Sequence, residues 1–300
     1  MTAPLWNVEG KDWPNAQASR FVAAGGVDWH VQVMGQGPAV LLLHGTASAT
    51  HSWRDLAPLL AEHMTVIAPD LPGHGFTSAL RRASPTRVSV ALAALMDALG
   101  ITPALTVGHS VGAAIALTMA EKHLARPQAI VSLGGALLPF PGLAGKLFPS
   151  MARVLFSGGL MPELFAMRAR MPGEVLAFLQ KSTGSKIDPR GLALYERLMR
   201  TSGHVGGALA LMANWNLEAL EHALPTIDLP VLLAHGAGDR TIPAATSRTV
   251  ANRLPQGRAL ILPGLGHLAH EEDPAGHAAL ILDFARRNLA PHSFSAERQA

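Results

Sequence analysis

The 300-residue sequence predicts an α/β fold: a mostly parallel central sheet flanked by helices, with a helical cap inserted into it. Three observations predict it. Strand-like and helix-like runs alternate along most of the chain, as a sheet covered by helices requires. The runs Ala39–Leu43 and Val231–Ala234 are apolar without a break, which marks strands covered on both faces. Between Pro139 and about Trp215 the alternation stops, and short helical pieces are separated by Pro149, Gly158–Gly159, Pro172 and Pro189.

In chain order, the expected strands are Arg20–Ala23, Trp29–Met34, Ala39–His44, Thr65–Pro69, Ala104–Gly108, Ala129–Leu133, Val231–His235 and Ala259–Leu262. The helices Trp53–Glu62, Arg87–Leu99, Val111–His123, Ala244–Arg253 and Pro274–Leu289 repeat apolar residues at helical spacing. About 75 strandless residues are too many for one loop, so 139–216 is read as a cap over a body made of 1–138 and 217–300. The tail Pro291–Ala300 is expected to be loose.

Composition excludes several classes. A hydrophobic content of 49% with 15% charged residues leaves no room for a disordered chain. The absence of cysteine removes disulfide frameworks, thiolate metal sites, iron–sulfur clusters and cysteine nucleophiles together. A net charge of +3, from 24 Lys+Arg against 21 Asp+Glu, is too even for a nucleic-acid binder. Met1–Pro14 carries charges and no apolar core of the kind a secretory signal needs, so a cytoplasmic location is expected. The longest apolar candidate, Val111–Ala120, is shorter than the roughly 18 residues of a membrane span.

The chemistry concentrates in Gly108-His109-Ser110-Val111-Gly112, a G-x-S-x-G motif between an apolar strand and a helical run. So tight a strand-to-helix turn strains the serine and demands small flanking residues, hence Gly108 and Gly112. It also sets Ser110 at a helix N-terminus, where free N–H groups favour a developing negative charge. His44-Gly45-Thr46-Ala47 closes the strand that begins at Ala39, so the amides of Thr46 and Val111 are the expected oxyanion donors. Loss of one such donor costs about 3 to 4 kcal/mol of barrier.

A serine nucleophile needs a base and an orienting acid, in the order Ser, Asp/Glu, His. Among the histidines after the elbow, His267 follows the last strand in Gly264-Leu265-Gly266-His267 and is the expected base. His270 is the rival, read mainly as a surface or capping residue of the run Glu271-Glu272-Asp273. Asp239, in His235-Gly236-Ala237-Gly238-Asp239, follows the strand at Val231 and is the expected acid; its alternative role is helix capping before Pro243. The segment after Leu133 contains no carboxylate. His74, in Asp70-Leu71-Pro72-Gly73-His74-Gly75, is read as a scaffold residue of a structural turn. His267 and His270 lack an HExxH pattern or a third ligand, so neither a metal site nor a cofactor is expected.

These residues resemble the α/β-hydrolase fold superfamily over roughly residues 20 to 290. Asp12-Trp13-Pro14, the stretch His44–Arg54, Ala68–Thr77 and Met212-Ala-Asn-Trp-Asn-Leu217 are similar to one branch, the magnesium-chelatase accessory proteins of bacteriochlorophyll biosynthesis. The resemblance implies a protein that keeps a hydrolase-like triad while being associated with magnesium insertion into protoporphyrin. Val111 departs from the pattern, since a smaller residue often follows the serine; it leaves the backbone donor intact and bears on pocket shape. A carboxylesterase of another pathway and a non-catalytic porphyrin carrier remain the alternatives.

The cap bears on the ligand. It holds nine basic and four acidic residues, a net +5 that leaves −2 for the body, and six methionines and five phenylalanines. Methionine adapts to irregular apolar partners. An apolar cap rimmed by arginines such as Arg168 and Arg170 suits a small apolar molecule carrying carboxylates, such as a porphyrin, or an anionic membrane surface. The plainer reading has these residues packed on the body with their charges in water.

Overall fold

The computed structural model describes residues 3–139 and 160–290. The tail Pro291–Ala300 and the first part of the insertion, 140–159, lie outside them. Eight strands form one sheet: β1 (Ser19–Ala24), β2 (Val27–Met34), β3 (Ala39–Leu43), β4 (Thr65–Pro69), β5 (Leu105–His109), β6 (Ala129–Leu133), β7 (Val231–Gly236) and β8 (Gly257–Leu262). Their order is β1-β2-β4-β3-β5-β6-β7-β8. Only the pairs β1–β2 and β2–β4 are antiparallel; from β4 to β8 every neighbour is parallel.

All eight expected strands are present, within one or two residues at their ends. The helix expected over Trp53–Glu62 is shorter, Leu56–Ala61, because Thr50–Trp53 closes into a 3-10 turn. That turn is held by the Thr50 amide, which donates to Asp70 Oδ1 at 2.6 Å.

Side-chain alternation in β3 divides the core in two. Leu41 and Leu43 face the helices Pro85–Leu99 and Val111–Glu121, while Val40 and Leu42 face Leu56–Ala61 and Pro274–Asn288. The unbroken apolar run of this strand thereby packs on both sides, as a central parallel strand must. The helix Val111–Glu121 is buried at every position from Val111 to Ala120. It therefore shows little amphipathic contrast and is fixed by packing on all sides.

The insertion is helical in its described part: Leu160–Arg168, Glu174–Thr183, Pro189–Met199 and Ser202–Ala213. Pro189–Met199 begins with a strong signal, Asp188 accepting from the Arg190 and Gly191 amides ahead of Pro189. Among the described residues, no helix is long and apolar enough to cross a membrane.

Candidate active site

Strand β5 ends at His109, and Ser110 turns the chain into the next helix with φ 53° and ψ −116°. A non-glycine residue in this region is strained, and two backbone bonds hold it there. The Ser110 amide donates to the Leu133 carbonyl at 3.0 Å, and its own carbonyl accepts from the Ala136 amide at 3.1 Å. The flanking glycines are sterically required. A Cβ at Gly108 would overlap the Ala113 amide, and one at Gly112 would overlap the Leu43 carbonyl.

Asp239 and His267 come from the loops after β7 and β8 and meet at the same sheet edge. His267 Nδ1–H donates to Asp239 Oδ2 at 2.7 Å, and the Asp239 side chain is fully buried. The other carboxylate oxygen accepts from the Thr241 and Ile242 amides at 2.7 and 2.9 Å, so Asp239 shapes its own turn as well. Burial raises its pKa, but hydrogen bonds from His235 and His267 outweigh this and hold the carboxyl well below the usual range.

His109, the residue before Ser110, contacts His267. The His109 ring lies 4.7 Å from the His267 ring, and its Nε2–H donates to the His267 carbonyl at 3.0 Å. Ser110 Oγ makes no hydrogen bond to a described residue, so the structure joins the expected base, His267, to the expected acid, Asp239, and shows no bond from Ser110 to His267. Val111 is the first residue of its helix, where the amide lacks an intrahelical acceptor. Its side chain packs in the core.

Beneath the inserted helices lies a cavity of about 520 Å³, lined at its inner end by Thr46, Ala47, His204 and Met212. Its walls are mainly apolar, with Val175, Phe178 and Leu209 among them, and Arg168, Glu174 and Lys181 supply charge. Thr46 is the residue of the expected oxyanion pair that faces this space; Ser110 and His267 are not part of its lining. The volume lies within the roughly 300 to 1,000 Å³ of small-molecule sites. The structure separates the two arginines expected to act together. Arg168 reaches the cavity and pairs with Glu174 at 2.7 Å, whereas Arg170 lines a second space of about 470 Å³ with Glu9, Glu196 and Arg197. Among the described residues, no group of three or more His, Asp or Glu side chains could hold a metal ion.

Residues 38–274 match the family model described as alpha/beta hydrolase fold. The chain belongs to the α/β-hydrolase fold family. It is 40% identical over 282 residues to the magnesium-chelatase 30 kDa subunit of Rhodobacter capsulatus, covering 91% of this chain and 96% of that one. It is 29% identical to 2-hydroxymuconate semialdehyde hydrolase from Pseudomonas sp. strain CF600, over 89% and 94% of the two chains. An α/β-hydrolase fold protein from Burkholderia ambifaria superposes with a TM-score of 0.73 at 23% identity, covering 89% of this chain and 97% of that one, which bears on the fold alone.

Within this α/β-hydrolase body, the structure adds residues that the sequence reading left without a role. His235 is fully buried, its Nε2–H directed at Asp239 Oδ2 and the Ile242 carbonyl, both 3.0 Å away, while Nδ1 accepts from Ser247 Oγ at 2.7 Å. Its place four residues before Asp239, at the end of a buried strand, was the available signal. His270 is neither a surface nor a capping residue: it is 1% exposed and hydrogen-bonded to Ser52 Oγ at 2.8 Å. The helix cap is Asp273, which accepts from the Gly276 amide. Burial drives the His270 pKa well down, which favours the neutral ring. Neighbouring Glu271 is buried as well; it pairs with Arg54 at 2.6 Å and accepts from the Tyr195 hydroxyl at 2.7 Å. Arg54 also pairs with Asp188 and so ties the inserted helices to the body. His74 is the buried scaffold residue expected, bonded to the Pro72 carbonyl.

Proposed function

We propose that this protein is a serine hydrolase that works alongside magnesium insertion into a porphyrin. The single observation that carries the catalytic half is the 2.7 Å His267–Asp239 pair, at the sheet edge where Ser110 sits on a strained turn. In this reading Ser110 Oγ attacks a carbonyl carbon and passes its proton to His267 Nε2. Asp239 stabilises the imidazolium that forms, and the amides of Thr46 and Val111 receive the oxyanion. His267 then returns the proton to the leaving group, and water, activated by the same imidazole, releases the acyl group. The serine–histidine hydrogen bond tightens as substrate enters, as is common for sites open in the free enzyme.

The pathway half rests on the 40% identity to the magnesium-chelatase 30 kDa subunit of Rhodobacter capsulatus. Residues 139–216 act as the cap of a body formed by 1–138 and 217–300. The mainly apolar cavity beneath it, with Arg168 and Lys181 in its lining, supports an apolar ligand carrying a carboxylate, and the same relative supports contact with the chelatase. Hydrolysis of p-nitrophenyl esters by the wild type and by Ser110→Ala tests the chemistry, and fluorescence titration of protoporphyrin tests the ligand. Turnover lost in the variant and saturable binding by both proteins are the expected results. Equal turnover by the two proteins overturns the nucleophile, while binding without any turnover turns the reading to a porphyrin carrier.

A further inference from the structure

The inserted helices do more than cover the cavity: the connection after Glu174–Thr183 is bonded to both loops that carry the proposed base and acid. The Thr183 carbonyl accepts from the His267 amide at 2.9 Å and from the Arg240 amide, next to Asp239, at 3.3 Å. Ser185 Oγ accepts from the Leu268 amide at 2.8 Å, and the Ser185 amide donates to Thr183 Oγ1 at 3.1 Å. The Thr241 hydroxyl donates to the Ser182 carbonyl at 2.8 Å. Thr183 and Ser185 are 7% and 2% exposed, so water does not stand in for these bonds.

The backbone is shaped for this contact. Gly184 has φ +70°, and a Cβ there would overlap the Gly238 carbonyl one residue before Asp239. Further along, the Glu272 carboxylate accepts from the Lys186 amide at 3.1 Å and the Gly266 amide at 2.8 Å, linking the same connection to the residue before His267. Within this clamp, the side chain of Ser185 can be removed without touching His267, Asp239 or their backbone.

We propose that Ser185 is a positioning residue, which with the Thr183 carbonyl sets the His267–Asp239 geometry and ties that pair to the cavity wall. The helix Glu174–Thr183 supplies Val175, Ala177, Phe178 and Lys181 to the cavity, and its last carbonyl holds the His267 amide. A ligand that bears on this helix therefore bears on the base. The proposal rests on the hydrolase reading for its consequence in rate, and on geometry alone for its effect on the imidazole.

The test compares wild type, Ser185→Ala and Ser185→Thr, the last keeping the acceptor oxygen. Two readouts are taken: the far-downfield proton resonance of His267 Nδ1–H, and the rate of Ser110 labelling by a fluorophosphonate across pH. In Ser185→Ala the resonance broadens or vanishes and labelling slows by about ten- to a hundredfold, the scale on which small misplacements act. Thermal unfolding stays cooperative, and Ser185→Thr restores both readouts. A sharp resonance and an unchanged rate in Ser185→Ala overturn the proposal, as does a loss that only tracks the unfolded fraction. Should Ser185→Ala not fold, Thr183→Val, which removes the acceptor of the Ser185 amide, carries the same comparison. A wild type that keeps the resonance and takes no label counts against the hydrolase reading, and the clamp is then judged by the resonance alone.

Discussion

The sheet edge and the inserted helices above it are built in opposite ways. At the edge, both oxygens of Asp239 are bonded, and His235 uses both ring nitrogens. In the insertion, Leu160, Met167 and Met171 are 70%, 59% and 58% exposed, and Phe165 and Phe178 at the cavity are half exposed. The difference teaches where each property resides. A bonded, strained edge suits fixed geometry, whereas exposed apolar side chains around a mainly apolar cavity suit the choice of a ligand.

The comparison breaks most sharply at Asp239. Asp239→Asn removes the charge behind His267 and leaves its volume, so ester hydrolysis falls by about 10⁴-fold in kcat with KM little changed. A fall in KM-dependent terms alone would move Asp239 from chemistry to binding.

Next in size is the join between the regions. Arg54→Met leaves Glu271 buried without its cation, and urea unfolding should register a loss of about 3 to 5 kcal/mol. If the loss is below about 1 kcal/mol, the pair behaves as a surface bridge and the inserted helices are held by packing instead.

Acidity sharpens the contrast further. Burial, outweighing the Ala47 carbonyl, lowers the His204 pKa to about 4, whereas an unfolded histidine takes its proton near 6.5. Between those values the unfolded chain binds more protons, so stability is lost as pH falls from about 6.5 to about 4, by about 3 kcal/mol for this one group. Unfolding midpoints measured across that range should drop, and His204→Gln should flatten the slope. An equal slope in both proteins assigns the effect to the other buried imidazoles, His44, His51, His74, His109, His270 and His277, whose pKa values burial also lowers.

The smallest effect separates the two arginines. Arg168→Glu, at the cavity, should weaken protoporphyrin binding several-fold at most, the upper end of what an exposed charge contributes. Arg170→Glu should leave it unchanged, because Arg170 lines the other space. Equal losses would return both residues to one rim.

The same division governs what could be read from the sequence. All eight strands and the strand-to-helix turn at Ser110 were legible, because strand alternation and G-x-S-x-G are local patterns whose neighbours in sequence are neighbours in space; the pairing of Asp239 with His267, 28 positions apart, was an expectation drawn from their places after two adjacent strands. The helical character of residues 160–213 was legible from the prolines and the lack of strand-like runs, their contacts not. Arg54 finds Glu271 across 217 positions, and Ser185 finds Leu268 across 83. Nothing in the acidic run Glu271-Glu272-Asp273 distinguishes the buried member from the capping one, so His270 was assigned to the surface from its neighbours' charge. His235 carries no local signal for a related reason: a histidine at a strand end is ordinary until the loop after it folds back four residues later.

The central claim is that Ser110 is a working nucleophile. Intact-mass and peptide analysis after treatment with a fluorophosphonate tests it most directly. The account predicts one adduct, on the peptide carrying Ser110, absent from Ser110→Ala and slowed in Asp239→Asn. A folded wild type that takes no adduct, or takes it at another serine, would contradict it.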